Sequence, residues 1–167
     1  PDFATGGIIH GTSGIREAYE TGRGRLRVRA RAEIIEDKKG RSRIEITELP
    51  YQVNKAKLVK SIADMVKEKR IVGISNIIDL SDRNGLLISV EVKREANPHI
   101  VLNQLYKHTK LEDTFGVNML ALVNMRPRQL NLKEMLFYYL EHQKEVVTRR
   151  TQFDLKKAEA RAHILEG

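Results

Sequence analysis

Between Gly22 and Ile34 the chain alternates strictly. Leu26, Val28, Ala30, Ala32 and Ile34 take every second position, and Arg23, Arg25, Arg27, Arg29 and Arg31 take the positions between. Successive side chains of a β-strand point to opposite faces, so this spelling predicts one strand over 25–34 with an apolar face for a core and a row of guanidinium groups on the other. After a turn at Asp37-Lys38-Lys39-Gly40-Arg41 the period of two returns over 43–48. With Lys38, Lys39 and Gly40 as a three-residue hairpin loop and the glycine left-handed, Ile44 faces Ile34 and Ile46 faces Ala32 on the buried side. On the other face Glu45 falls diagonal to Arg31, which leaves Arg31 partly neutralised and the arginines from 23 to 29 unopposed.

The period lengthens beyond Pro50, which ends the hairpin. Asn54 caps a predicted helix in which Leu58, Val59, Ile62, Ala63 and Val66 make one stripe, while Lys55, Lys57, Lys60, Lys67 and Lys69 lie elsewhere. Ile74 to Leu80 and Leu86 to Lys93 flank Asp82-Arg83-Asn84-Gly85, where Asn-Gly is a strong hairpin signal. A second helix opens at Asn97-Pro98 and buries Val101, Leu102, Leu105 and Tyr106; a strand over 117–123 follows. Ahead of the arginine run, residues 1–12 read as a loop around Ile8-Ile9. A short helix then starts at Ser13, with Ile15, Ala18 and Tyr19 on one face, and stops at Gly22. The resulting order, β-hairpin, α, β-hairpin, α, β, predicts an α+β fold with two helices packed on a mainly antiparallel sheet.

Asn131 caps the last element, which runs without Gly or Pro from Leu132 to Glu166. Steps of four and three pick out Leu132, Leu136, Tyr139, Gln143, Val146, Arg150, Phe153, Lys157, Ala160 and Ile164, a seam that is apolar at first and diluted later. The pattern predicts a long helix that begins a coiled coil with a partner outside the chain. A surface helix over the sheet accounts for 135–147 but not for the overhang. The expected divisions are a leading loop and short helix over 1–24, an α/β domain over 25–130, and the start of the coiled-coil helix over 131–167. Opening on Pro1-Asp2-Phe3 without methionine and stopping inside a helix, the chain reads as a piece of something longer.

Charge adds a partner to this outline. Thirty Lys and Arg stand against 22 Asp and Glu, a net +8, which favours nucleic acid or an acidic surface. Alternate residues on a strand lie about 6.7 Å apart, and guanidinium groups are planar, permanently charged forks suited to phosphate oxygens. Lys55, Lys57 and Lys60 crowd the first two turns of the first long helix, where positive charge is unfavourable unless an anion comes to it. Arg23, Arg25, Arg27, Arg29, Arg31, Lys55 and Lys57 are therefore the candidate phosphate contacts. The plainer reading is a solvated face whose charges are answered by nearby carboxylates. With no cysteine, disulfides and thiolate metal sites are excluded, and His10, His99, His108, His142 and His163 never fall at a ligand spacing. No apolar run is long enough for a transmembrane span and no signal-peptide pattern opens the chain, so a cytoplasmic protein is expected. No P-loop, no Gly-x-Ser-x-Gly and no cysteine nucleophile occurs, and Tyr19, Tyr51, Tyr106, Tyr138 and Tyr139 mostly fall on apolar helix faces. No catalytic residue and no metal site is expected.

Several ordered blocks carry a resemblance. Pro1-Asp2-Phe3 with Thr5-Gly6-Gly7, Gly14-Ile15-Arg16-Glu17-Ala18-Tyr19-Glu20-Thr21-Gly22-Arg23-Gly24 and Glu48-Leu49-Pro50-Tyr51-Gln52-Val53-Asn54-Lys55-Ala56 resemble the A subunits of bacterial DNA gyrase, a family of type IIA topoisomerases. The likeness continues through Phe115-Gly116-Val117-Asn118-Met119, Leu130-Asn131-Leu132-Lys133-Glu134 and Glu145-Val146-Val147-Thr148-Arg149-Arg150-Thr151 to Leu165-Glu166. The corresponding chain of topoisomerase IV is similar, although Tyr51-Gln52-Val53-Asn54-Lys55 looks more like gyrase. The resemblance implies the tower (shoulder) portion of the breakage-reunion region, followed by the start of the helix toward the exit gate. It further implies double-stranded DNA as ligand and a homodimer of A subunits joined by the gyrase B chains in a heterotetramer, with Mg2+ and ATP held by those partners. The family's catalytic tyrosine follows an arginine; no tyrosine here does, so the nucleophile is expected outside these residues. Two other readings stay open. A sheet-based RNA-binding module would stack bases on strand aromatics, and the strands predicted over 25–34, 43–48, 74–80, 86–93 and 117–123 contain none. A structural coiled-coil protein would use the sheet as a cap and retain no duplex.

Overall fold

A computed structural model describes all residues from Pro1 to Gly167. Two compact units emerge, each built from discontinuous sequence: Pro1–Ile15 with Arg25–Gly116, and Arg16–Gly24 with Val117–Gly167. The boundaries between these units lie at 15/16, 24/25 and 116/117.

The first unit is organised by a four-stranded antiparallel sheet. Its strands are β3 (Arg31–Glu36), β4 (Ser42–Glu48), β5 (Ile74–Asp79) and β6 (Ile88–Val92), in the spatial order β3-β4-β6-β5. The β3–β4 hairpin pairs Ile34 with Ile44 and Ala32 with Ile46, the predicted register, and Gly40 in its loop has φ +71°. One face of this sheet is covered by α2 (Lys55–Lys67) and α3 (Pro98–His108). The core joins Ile44, Ile46, Ile88 and Val90 from the sheet to Leu58 and Ile62 of α2 and Val101 and Leu105 of α3. Full burial of such a side chain contributes about 1.5–3 kcal/mol, so eight of them in one cluster make this layer the main source of stability. Both helices start at the expected caps: Asn54 accepts from the Lys57 N–H at 3.0 Å and Asn97 from the His99 N–H at 3.0 Å. Ala63 of the predicted α2 stripe is exposed, and the half-buried Met65 packs on the core instead.

The arginine run departs from expectation. It is two strands, β2 (Arg23–Arg29) and β3, in two different sheets, broken at Ala30. Ala30 is fully buried, and its N–H donates to the Leu111 carbonyl at 2.8 Å rather than to a ladder partner. A register shift between Arg31 and Ala32 completes the change of sheet. β2 is the middle strand between β1 (Ile8–Ile9) and β7 (Glu112–Asn118). Ile8-Ile9, expected in a loop, therefore pairs with Arg29 and Val28. The strand expected over 117–123 is likewise divided, its start forming the end of β7 and its remainder β8 (Leu120–Val123), which pairs with β9 (Arg126–Gln129).

In the second unit α1 (Ser13–Thr21, from Arg16 onward) stops where Gly22 turns left-handed at φ +82° and donates to the Ala18 carbonyl at 2.8 Å. The Gly22 carbonyl then accepts from Met119 at 2.9 Å, and Leu130 donates to Met119 at 3.0 Å. α4 (Leu132–Glu166) follows as one helix of 35 residues, with a capping box: Asn131 accepts from the Glu134 N–H at 2.8 Å while its own N–H donates to the Glu134 carboxylate at 3.1 Å. None of its residues is buried. No helix is long and apolar enough to cross a membrane.

Gly22 offers a direct check on this junction. A Cβ there would run into the Leu130 carbonyl oxygen, on a backbone conformation that L side chains rarely adopt. Gly22→Ala should destabilise the protein by about 1–3 kcal/mol, read as a lowered midpoint in thermal unfolding.

Candidate nucleic-acid interface

Alternation on β2 does what the sequence requires of it: Leu26 and Val28 are buried, while Arg25 and Arg27 are exposed and Arg29 is half-buried on the opposite face. The neighbouring strand β7 turns Glu112 to that same face. Arg27 gives its Nε and Nη2 hydrogens to one Glu112 oxygen at 3.1 and 2.7 Å, and Arg29 Nε donates to the other oxygen. The Arg29 guanidinium also lies 4.7 Å above the Tyr106 ring, and the Tyr106 hydroxyl reaches the Ala30 carbonyl at 3.5 Å. Burial raises the Tyr106 phenol above its ordinary range. For Glu112, burial pushes the carboxyl up, but hydrogen bonds from Arg29 and then Arg27 outweigh it and leave the group below its usual value.

The expectation that 23 to 29 stand unopposed is thereby corrected. Its physical reason is that Glu112 arrives from far along the chain, on a strand the sequence pattern does not reveal. Arg31 is neutralised, though not by Glu45: it pairs with Glu48 at 3.2 Å, and Glu45 is taken by Arg43 at 2.8 Å. Glu48 also accepts the Gly7 N–H at 2.7 Å, and these two interactions, the Gly7 bond first, hold its carboxyl below the ordinary value.

Ion pairing sorts the seven candidate residues. Arg27, Arg29, Arg31 and Lys55 have carboxylate partners, whereas Arg25 and Lys57 are exposed and have none. Arg23, exposed at the first position of β2, belongs to the second unit and is also free of an ion pair. Pairing does not remove a charge from the surface. The Arg27 side chain remains 55% exposed against 31% for Arg29 and 15% for Glu112, and two guanidiniums against one carboxylate leave the pair of strands positive. At the start of α2, Lys55 meets Asp79 at 2.9 Å, so the anion that its position calls for is supplied from within the first unit.

Glu112 and Tyr106 are the residues that sequence reasoning misses here. The helical spacing of Tyr106 points to packing alone, and Glu112 falls between the second predicted helix and the strand expected over 117–123. The available signal is weak: Leu111, Phe115 and Val117 show only a broken alternation. Phe115, on β7, also qualifies the statement that the strands lack aromatics. It lies on the face opposite Glu112 and packs edge-on against Phe3 and Tyr51, with ring centroids 5.0 and 5.8 Å away, so it offers no free platform for a base. No group of three or more His, Asp or Glu side chains is placed to hold a metal ion.

A family model for the A subunit of DNA gyrase and topoisomerase IV matches residues 1–167. The chain belongs to this family. Among its relatives, it is 64% identical over 167 residues to the DNA gyrase A subunit of Clostridium acetobutylicum. It is 57% identical over 167 residues to that of Halalkalibacterium halodurans, and 56% over 168 residues to that of Staphylococcus epidermidis. Each comparison covers the whole of this chain and 20, 20 and 19% of the relative, respectively, so the chain spans about a fifth of their length. The arginine face therefore sits in a segment of a gyrase-type A subunit, and its chemistry is that of a positively charged ledge without a reactive group.

The ion pair at α2 carries a pH dependence. Hydrogen bonds from Ser81, then the bond to Lys55, hold the Asp79 carboxyl down from 3.8 to about 2. A carboxyl depressed by folding stabilises the folded state above its ordinary value, and that contribution disappears as pH falls through the folded one. The stability difference between the wild type and Asp79→Asn, measured by urea unfolding, should accordingly be constant above about pH 5 and be lost progressively as pH falls through 3.8 and then through about 2.

Proposed function

We propose that this chain is the tower portion of a gyrase-type A subunit, with an arginine face that supports the DNA segment held at the cleavage gate. Phosphate neutralisation supplies affinity that does not depend on sequence and offsets the elastic cost of bending a duplex, whereas base edges are read by side chains reaching into a groove. A strand of guanidinium groups at about 6.7 Å intervals suits the first task and not the second. The observation that carries this reading is Arg25, exposed and unpaired beside Arg27, whose side chain stays 55% exposed despite its ion pair. Lys57 adds a second free cation in the same unit. Arg29, Arg31 and Lys55, in the same unit, add to the positive field.

In this reading the chain does not break DNA. The tyrosine nucleophile belongs to the larger polypeptide outside these residues, and the gyrase B chains supply the Mg2+ and ATP chemistry of the assembly. α4 supplies the link toward a dimer contact, through a seam whose Leu136, Tyr139, Val146, Phe153 and Ile164 are all exposed here. A cytoplasmic heterotetramer of two A and two B chains acting on double-stranded DNA is the expected context.

Substitution of Arg25 by serine in the full-length protein, assembled with its partner, tests the reading. Binding to a linear duplex should weaken, and the slope of log affinity against log salt should flatten by about 0.9 per protomer for the phosphate no longer neutralised. Lys57→Ser should act in the same direction. Unchanged slopes in both variants would remove this face from the DNA path.

A further inference from the structure

We propose that Glu112 is a built-in competitor for DNA: its carboxylate occupies Arg27 in the unbound protein and yields it to a phosphate when a duplex is held. This inference rests on the DNA reading of the arginine face and assigns that face a residue that sets its affinity.

The geometry separates the two arginines that share the carboxylate. Arg27 presents its Nε and Nη2 edge to Glu112 Oε1 at 3.1 and 2.7 Å. That edge is the fork a phosphate would take in two parallel hydrogen bonds. No other side chain bonds Arg27, and more than half of it is open to solvent. Arg29 is held differently. Its Nε donates to Glu112 Oε2, its flat face lies against Tyr106, and it is more deeply covered. Arg29 is thus fixed by packing as well as by charge, and Arg27 by Glu112 alone.

Glu112 itself has little reason to move. It is the least exposed member of the trio and lies at the head of β7, directly after the buried Leu111, whose carbonyl accepts the Ala30 N–H. A phosphate approaching the face therefore competes for Arg27 against a carboxylate fixed in place. Release of Arg27 costs Glu112 one of its two cations and leaves Arg29 as the one that keeps it paired. The arrangement grades the response: Arg25 is available at once, Arg27 is available at the expense of an ion pair, and Arg29 stays with Tyr106.

Glu112→Gln removes the competing charge while keeping the shape of the side chain. In the full-length protein, assembled with its partner, this variant should bind a linear duplex on the order of 3- to 10-fold more tightly at low salt and show a salt slope steeper by about 0.9 per protomer. The gain should depend on Arg27. Arg27→Gln should cost more affinity in the Glu112→Gln background than in the wild type, and a double-mutant cycle measures the difference. Should Glu112→Gln fail to fold, Glu112→Thr carries the same expectations on a residue suited to a strand. Affinity equal to or below that of the wild type, or a cycle with no coupling, overturns the proposal. The Arg25→Ser variant distinguishes the two levels of failure. If Arg25→Ser weakens binding while Glu112→Gln does not strengthen it, only the competitor is refuted; if neither variant changes duplex binding, the DNA reading of this face falls with it.

Discussion

One buried backbone contact governs how this basic surface is laid out. Ala30 sits at full burial between two strands, and its N–H goes to the Leu111 carbonyl at 2.8 Å. A buried amide left without a partner is costly, and a side chain larger than a methyl would have to find room in a packed core. Both facts hold Ala30 to Leu111. Because Arg29 precedes Ala30 and Glu112 follows Leu111, the contact that ends β2 also brings the carboxylate beside the arginines. The contact that breaks the strand thus also sets where the neutralising carboxylate stands.

Charge on the two elements that carry the candidate residues is managed by the same rule. On β2 a single glutamate serves two arginines and leaves a positive remainder. At the start of α2 Asp79 serves Lys55, while the amide of Lys57 is committed to the Asn54 cap and its ammonium to nothing. Exposed ion pairs contribute only about 0–1 kcal/mol each, so these arrangements are weak as stabilising devices. Their larger effect is on the potential outside the protein, where each paired carboxylate lowers the local field and each free cation raises it. In the proposed reading, a surface that holds a polyanion and still releases it has use for intermediate values of that field.

What can be read from the sequence is what local physics decides. The β3–β4 register follows from the need to bury Ile34, Ile44 and Ile46 together, and a slip of one residue would turn them to solvent. The caps at Asn54, Asn97 and Asn131 follow from side chains that satisfy free amides at helix starts. The length of α4 follows from an uninterrupted helical stretch. The division of the arginine run does not, because alternation continues unbroken through Ala30 and nothing nearby signals that the chain changes sheets there. Glu112 is illegible for a related reason: its partners Arg27 and Arg29 are 85 and 83 residues away, and its own strand alternates poorly. The apolar face of the run is thus readable, and the identity of the groups facing its arginines is not.

α4 shows where local physics stops being sufficient. Its capping box contributes the ordinary cap energy of about 1 kcal/mol, and its Glu141–Lys144 and Glu145–Arg149 pairs add about 0.3–0.5 kcal/mol each. Beyond the half-buried Leu132, Met135 and Tyr138 near its start, a helix about 50 Å long with no fully buried residue has little else to draw on, since most helical stability in proteins comes from a packed apolar face. Leu136, Leu140, Val146, Val147, Phe153 and Ile164 remain exposed along it. In the proposed reading these residues are the half of an interface that a second helix completes, and the apolar share of the seam dictates where it holds most firmly. That is the stretch up to Val147; beyond it Arg150 and Lys157 enter the seam, long side chains that cover an apolar partner with their stems while keeping their charge in water.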